Sequence, residues 1–209
     1  MQRFERKEEK WIFPFVEYIN AESKEPLPLI IQLHGAGERG NGKEELNLVD
    51  LHGFSEQIDK LCGDYLLVLP QCPADTFWAA RVESLIKFVE QLCGEYNVDK
   101  NRIYLTGLSM GGFGTWFTAM ARPDLFAAIA PVCGGGMAWN AGVLNMPVWA
   151  FHGADDPAVC VRHTDEMVQA MQNEGKDVKY TRLDGVSHNA WDYAYGKELF
   201  DWLLSKKKN

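Results

Sequence analysis

Residues 101–114 read NRIYLTGLSMGGFG, and a strand-like run leads there into GLSMG at residues 107–111 and then into a helical segment. The pattern G-x-S-x-G between a strand and a helix predicts a very tight turn at the carboxyl edge of a sheet. Glycine is expected on both sides of the serine because a side chain there would collide with neighbouring backbone. The stretch has neither the G-x-G-x-x-G spelling nor the lysine of phosphate-binding loops. It therefore favours Ser109 as a nucleophile over a nucleotide-binding turn.

Around this segment the chain alternates short apolar runs with segments of helical period. The predicted strands are Val16–Ile19, Leu29–Leu33, Tyr65–Leu69, Ile103–Thr106, Ala127–Val132, Val148–Phe151 and Val178–Leu183. The predicted helices are Val82–Leu92, Gly112–Ala121, His163–Glu174 and Tyr193–Leu204. Runs that are apolar throughout, such as LPLIIQL, are typical of strands covered on both faces. We expect one α/β domain over residues 1–209, with a mostly parallel sheet and helices on both faces.

The composition excludes several classes of function. The formal net charge is −8, so the chain has no basic field for nucleic acid or an anionic membrane. The N-terminus, MQRFERKEEKW, is charged where a secretory leader is apolar. The five cysteines are widely spaced, as is typical of free thiols. These two features together predict a cytoplasmic location. No histidine or cysteine pair has metal-ligand spacing, so we expect neither a metal nor another cofactor. The oligomeric state stays open.

A serine nucleophile needs a base and an acid that orients it, and in this architecture they follow in the order Ser, Asp or Glu, His. His188, in DGVSHNAW, comes after the last predicted strand. The segment MPVWAFHGADDP follows the preceding strand and supplies both Asp155 and Asp156. From the residues alone, His188 is the base and either aspartate is the acid. The other histidines are predicted to have local or surface roles: His34, His52, His152 and His163.

An acyl-transfer site also needs backbone donors for the developing oxyanion. One donor is expected from the residue after the nucleophile, the amide of Met110, and the other from the loop after an early strand. LIIQLHGAGERG, residues 29–40, is such a loop and offers the N–H of Ala36. Taken alone, this loop would be interpreted as a plain turn at the end of a strand, but together with the G-x-S-x-G turn and the HGADD segment it favours an oxyanion site.

Five segments together resemble one known group: LPLIIQLHGAGERG, PQCPADTFW, GLSMGGFGTW, FHGADDPAV and GVSHNAWDYAY. They are similar to small α/β-hydrolase esterases related to polyhydroxybutyrate depolymerases, feruloyl esterases and acetylxylan esterases, a group that grades into the phospholipase/carboxylesterase and dienelactone hydrolase groups. The resemblance implies Ser109 as nucleophile, His188 as base, and Ala36 and Met110 as oxyanion donors. It favours Asp156 over Asp155, because the acid directly precedes proline in this pattern. Dienelactone hydrolases proper have cysteine at the elbow, which argues against that activity.

The activity implied by the resemblance is that of a serine carboxylesterase that forms an acyl-enzyme, with acetyl or feruloyl esters of carbohydrates as candidate substrates. The same machinery also suits a peptidase or a thioesterase. A non-catalytic binding protein is the third alternative, and the presence of both Ser109 and His188 argues against it.

The pocket is predicted to be an open groove, because the stretch from residue 132 to residue 146 is too short for a helical lid. Trp78 and Trp191 follow strand ends on the catalytic side, where each either stacks on a substrate ring or packs in the core. Glu38 and Arg39 either bind a polar end of the substrate or pair with each other. Three side chains of the nucleophile helix are predicted in the core: Met110, Phe113 and Trp116.

Overall fold

An eight-stranded sheet is the frame of the fold, which the computed structural model describes over residues 1–208 apart from the side chains of residues 58 and 59. The strands are β1 (Gln2–Arg6), β2 (Phe15–Asn20), β3 (Leu27–Leu33), β4 (Tyr65–Pro70), β5 (Val98–Leu108), β6 (Ala128–Val132), β7 (Val148–Gly153) and β8 (Val178–Leu183). The helices are α1 (Val82–Glu95), α2 (Met110–Ala121), α3 (Arg162–Asn173), α4 (Trp191–Ala194) and α5 (Lys197–Leu204).

The strand order across the sheet is β1-β2-β4-β3-β5-β6-β7-β8. All neighbours from β4 to β8 pair in parallel, whereas β1 and β2 join at one edge in antiparallel pairs. Every residue of β4, β6 and β7 is buried, as their uninterrupted apolar sequences require of strands covered on both faces. The predicted mostly parallel sheet is confirmed.

Helices cover both faces of this sheet. On one face α1, α2 and α3 pack their apolar residues into a single core, in which α1 buries the stripe Leu85, Phe88, Val89 and Leu92. The other face is covered by α5 and by two 3-10 helices, Leu46–Asp50 and Phe54–Lys60. The predicted two-faced arrangement is confirmed, and it leaves the carboxyl ends of the parallel strands free to carry a site.

The sequence interpretation missed one strand and joined two helices. Strand β1, QRFER, was not predicted because it is an edge strand with four exposed residues and little apolar pattern. The predicted helix Tyr193–Leu204 is two helices, α4 and α5. The break occurs because Tyr195 is extended and buried, with its hydroxyl 3.1 Å from Thr106 Oγ1, and Gly196 is extended as well.

The connection after β6 carries no helical lid. Residues 133–147 contain one 3-10 helix, Ala138–Val143, and this is consistent with the open groove expected from the length of the connection. Within residues 1–208, no helix is both long enough and apolar enough to cross a bilayer.

Candidate active site

The turn between β5 and α2 holds Ser109 in a strained conformation. Its φ is 53° and its ψ is −115°, a backbone conformation that residues other than glycine rarely adopt. A Cβ on Gly107 would lie 2.4 Å from the carbonyl oxygen of Gly111, and a Cβ on Gly111 would lie 2.0 Å from that of Leu33. The crowding predicted from the G-x-S-x-G spacing is confirmed, and it presents the serine hydroxyl above the strand ends.

This crowding predicts the effect of two glycine substitutions. Gly111→Ala is expected to destabilise the fold by about 3 kcal/mol or more, because backbone atoms of β3 must move. Gly94→Ala is the matched control: a Cβ there has no neighbour within 4 Å, so alanine should stabilise α1 by about 0.5–1 kcal/mol. Urea unfolding measures both. A Gly111→Ala protein as stable as the wild type would contradict the proposed crowding.

Three side chains from separate segments meet beside this turn. His188 Nε2 lies 2.9 Å from Ser109 Oγ, and His188 Nδ1 lies 2.6 Å from Asp156 Oδ2. Ser109 follows β5, Asp156 follows β7 and His188 follows β8, so the carboxyl edge of the parallel sheet brings them together. The structure thus places the predicted nucleophile, acid and base in one hydrogen-bonded row.

Asp156 is held as a carboxylate. Its Oδ1 accepts hydrogen bonds from the backbone N–H groups of Ala158 and Val159, both at 2.8 Å. Burial alone raises the pKa of Asp156, but the hydrogen bonds from His188 and the two N–H groups outweigh it and keep the pKa below its ordinary value. Asp155, the alternative, is exposed, and its carboxylate has no hydrogen-bond partner in the described part of the chain.

His152 and Cys133 support this row from below. His152 is fully buried, with Nδ1 2.7 Å from Thr164 Oγ1 and Nε2 2.9 Å from the Val159 carbonyl and 3.3 Å from Asp156 Oδ2. Burial lowers the pKa of His152. The Cys133 thiol donates to the His188 carbonyl at 3.7 Å. These contacts fix the loop that carries Asp156 and the loop that carries His188, a role for Cys133 that was not predicted.

Three potential metal-ligating atoms occur in this cluster. They belong to Cys133, Asp156 and His188 and lie within 4.8 Å of one another. Asp156 Oδ2 and His188 Nδ1 are 2.6 Å apart, closer than the about 3.3 Å between two ligands of a tetrahedral zinc. Burial raises the pKa of the Cys133 thiol to about 12, so it is protonated at neutral pH. The arrangement fits a proton shared between Asp156 and His188 better than an ion.

The two predicted oxyanion donors lie at the ends of neighbouring strands. Ala36 begins a 3-10 helix, Ala36–Glu38, after β3, and Met110 begins α2 after β5. The first N–H groups of a helix have no intrahelical acceptor, so both are available to a ligand. The N–H of Ser109 is occupied, since it donates to the Val132 carbonyl at 2.9 Å.

His34 fixes the orientation of the first of these donors. Its Nδ1 donates to the Gly35 carbonyl at 2.6 Å, and its Nε2 accepts from the N–H of Cys72 at 2.9 Å. The Gly35 carbonyl and the Ala36 N–H belong to one planar trans peptide, so holding the oxygen on one side directs the N–H to the other. Burial lowers the pKa of His34 to about 4, which keeps this ring neutral.

The low pKa of His34 makes stability depend on pH. Between about pH 6.5 and about pH 4 the unfolded chain binds a proton at this position and the folded chain does not, so stability falls as the pH falls through this window. The expected loss is about 3 kcal/mol. Asp156 loses its contribution only at lower pH, because its folded pKa lies below the unfolded value.

Urea unfolding between pH 7.5 and pH 4 measures this dependence. In His34→Asn the free energy of unfolding should start lower and decline less over the window, because the group that titrates only in the unfolded state is gone. The same decline in the variant and the wild type would contradict the assignment to His34.

Comparisons with known proteins agree with this fold. The model of the prolyl oligopeptidase family matches residues 79–141. The bifunctional acetylxylan esterase/xylanase XynS20E of Neocallimastix patriciarum is 30% identical over 81% of this chain, and feruloyl esterase B of Talaromyces funiculosus is 26% identical over 83%. The crystal structure of a thermostable esterase matches 99% of the chain with 30% identity and a TM-score of 0.83. The chain has the α/β-hydrolase fold and is related to these esterases.

These relatives are longer than this α/β-hydrolase. The chain spans 26% of the length of XynS20E, 53% of that of feruloyl esterase B and 63% of that of the thermostable esterase. The predicted resemblance to esterases of the feruloyl and acetylxylan type is confirmed.

An apolar cavity of about 380 Å³ opens beside Ser109. Its walls are Phe77, Ala79, Ser109, Met110 and Phe113. The prediction that Phe113 belongs to the core is wrong, because the first turn of α2 projects it toward the cavity, whereas the Met110 side chain both packs against the core and lines the cavity. Phe77 was not predicted at all, although it is 53% exposed and adjoins a residue that was.

The prediction that Trp78 stacks on the substrate is wrong. Its side chain is 0% exposed, its Nε1 donates to the His34 carbonyl at 3.0 Å, and its ring packs edge-on against Phe13. It packs in the core under the oxyanion loop, residues 34–40 with the donor Ala36, because the 3-10 helix Trp78–Ala80 turns it inward. Trp191 differs: it is partly exposed, and its ring packs edge-on against His188 at 5.2 Å between centroids.

Glu38 and Arg39 form no ion pair with each other in the described structure, so that alternative is wrong. Arg39 donates instead to the carbonyls of Ala36 and Thr76, at 3.0 and 3.2 Å, and thereby ties the oxyanion loop to the loop after β4. Glu38 is buried, and its Oε2 has no hydrogen-bond partner. A role for either in binding substrate stays a prediction.

Proposed function

We propose that this α/β-hydrolase cleaves carboxylic esters through an acyl-enzyme on Ser109, with His188 as the general base and acid and Asp156 as the group that orients it. One observation carries the proposal: a single imidazole lies 2.9 Å from the Ser109 hydroxyl and 2.6 Å from the Asp156 carboxylate. This is the relation of nucleophile, base and orienting acid that activates a serine.

The first half of the reaction follows from the protons. Nδ1 of His188 carries its proton toward Asp156, so the lone pair of Nε2 faces the Ser109 hydroxyl. As Oγ bonds to the ester carbon, its proton passes to Nε2, and the Asp156 carboxylate stabilises the imidazolium. The carbonyl oxygen becomes an oxyanion beside the N–H groups of Ala36 and Met110, and each such donor contributes about 3 kcal/mol.

The second half reverses these roles. The imidazolium donates its Nε2 proton to the alcohol oxygen as the ester bond breaks, which leaves the acyl group on Ser109. Water then gives a proton to Nε2 and attacks the acyl carbon, and the Ser109–acyl bond breaks with return of the proton to Oγ. The products are the acid and the alcohol, and the enzyme is regenerated.

The cavity beside Ser109 favours an aromatic acyl group. It offers about 380 Å³ in a lining that includes Phe77 and Phe113, far more than an acetyl group fills. A hydroxycinnamoyl group such as feruloyl has the size and the ring to use these walls, and a feruloyl esterase is among the relatives. We therefore place feruloyl esters of carbohydrates before acetyl esters as substrates.

A peptidase or thioesterase is the second candidate. The match of residues 79–141 to the prolyl oligopeptidase family favours it, because that stretch contains Ser109. The same nucleophile, base and oxyanion donors can act on an amide, a thioester or an ester. The difference in reactivity between these substrates lies in the leaving group.

Matched substrates with one acyl group separate these candidates. We expect kcat/KM for methyl ferulate to exceed that for the ferulic amide by about 100-fold or more, with the thioester no better than the ester. Phe113→Ala should lower kcat/KM for methyl ferulate and leave that for methyl acetate nearly unchanged. A preference for the amide would overturn the proposal, and no hydrolysis of any substrate would favour a non-catalytic binding protein.

A further inference from the structure

A second aromatic wall lies beside His188 and shares no residue with the lining of the cavity. Trp191 packs edge-on against His188, and the ring of His52 lies over Trp191, with 5.5 Å between centroids and 44° between planes. His52 belongs to the connection between the 3-10 helices Leu46–Asp50 and Phe54–Lys60, far from Trp191 in the chain. The sequence placed His52 on the surface, but it is half-buried against the site.

The polar atoms of this wall are unused. Within the described structure, Trp191 Nε1 and both ring nitrogens of His52 have no hydrogen-bond partner. His52 also has a φ of 60°, a conformation that costs a residue with a Cβ roughly 1–2 kcal/mol. The fold thus holds the His52 ring against Trp191 at the cost of backbone strain.

The reaction geometry decides which half of a substrate meets this wall. The leaving alcohol takes its proton from His188 Nε2, so it must lie on the His188 side of the ester carbon. The cavity on the other side is lined by Phe77, Ala79, Met110 and Phe113 together with Ser109, and it includes neither His188 nor Trp191. The acyl group therefore enters the cavity, and the alcohol lies along Trp191 and His52.

We propose that Trp191 and His52 form a binding site for the alcohol half of the ester, and that this half is a sugar ring. A sugar presents C–H faces to the indole and hydroxyl groups to the free nitrogens of His52 and to Trp191 Nε1. A simple alkyl alcohol would use none of these polar atoms. The inference rests on the proposed function for the orientation of the substrate, and it adds His52 as a residue that determines specificity.

Two esters of the same acid test the site: methyl ferulate and arabinose esterified with ferulate at O5. The wild type should prefer the sugar ester in kcat/KM. His52→Ala and His52→Asn should each lower kcat/KM for the sugar ester about 10-fold, mainly through KM, and change that for methyl ferulate less than twofold. Asparagine tolerates a positive φ, so it removes the ring while keeping the loop conformation.

His163→Ala is the matched control. His163 packs on Phe113 at 5.8 Å on the acyl side, as His52 packs on Trp191 on the alcohol side. Because the two esters share their acyl group, His163→Ala should change kcat/KM for both esters by the same factor. The ratio of the two kcat/KM values should therefore stay unchanged. Equal losses on both esters in both His52 variants, or no loss on either, would overturn the sugar site.

A binding measurement separates this inference from the proposed function. Binding of arabinose to Ser109→Ala can be followed by NMR without any turnover. The indole N–H resonance of Trp191, which Trp191→Phe assigns, should shift when arabinose is added. The shift should disappear when His52→Asn is added to that protein. A shift without hydrolysis of either ester would support the sugar site and refute the esterase activity. Hydrolysis of methyl ferulate without a shift would refute the sugar site alone.

Discussion

Ser109→Ala is expected to lower kcat for ester hydrolysis by about 10⁵- to 10⁶-fold, the largest effect of any single substitution in this molecule. The hydroxyl is the atom that bonds to the acyl carbon, and no other described hydroxyl contacts His188 Nε2. The residual rate over water would come from the oxyanion donors and from substrate binding. Steady-state hydrolysis of methyl ferulate measures the loss.

Stability and a neighbouring serine provide the controls for that result. Ser109→Ala should unfold at the same urea concentration as the wild type, because alanine has the same backbone restrictions as serine in the strained turn. Ser187→Ala removes an exposed hydroxyl next to His188 in the chain and should keep wild-type kinetics. Substantial hydrolysis by Ser109→Ala, beyond traces of wild type, would refute Ser109 as nucleophile.

Asp156→Asn is expected to lower kcat by about 10⁴-fold. Oδ1 of Asp156 accepts two backbone N–H groups, so the asparagine oxygen must take that position and its NH₂ must face His188 Nδ1. An NH₂ can only donate there. His188 would then carry its proton on Nε2, directed at the Ser109 hydroxyl, and could no longer act as the base.

Asp155→Asn makes the same chemical change one residue away and is the matched control. Asp155 is exposed. In the described structure its backbone N–H donates to the Val186 carbonyl, whereas its carboxylate has no hydrogen-bond partner. Its substitution should leave kcat within about twofold of the wild type. If Asp155→Asn lost the activity and Asp156→Asn kept it, the acid would be the other aspartate.

The chemistry-bearing residues could be predicted from the sequence because local rules govern them. The turn at Ser109 needs glycine at 107 and 111 whatever the rest of the chain does. Parallel strands then place the loops after β5, β7 and β8 at one edge, so the order of Ser109, Asp156 and His188 along the chain was sufficient to bring them together.

The walls of the site could not be predicted, because they depend on packing between distant segments. Phe77 and Trp78 are adjacent aromatic residues, and only the direction of a short 3-10 helix decides that Trp78 is buried and Phe77 is exposed. His52 reaches Trp191 through irregular structure that has no periodic signal. The cytoplasmic location stays a prediction.

The most direct test of the central claim is covalent labelling with a fluorophosphonate, followed by mass spectrometry of the intact protein and of its peptides. Attack by an activated serine expels fluoride and leaves one phosphonyl group on the protein. We expect a single adduct, located on Ser109, formed rapidly in the wild type and absent in Ser109→Ala. An adduct on another residue, or no adduct on a folded protein that still hydrolyses methyl ferulate, would contradict the account.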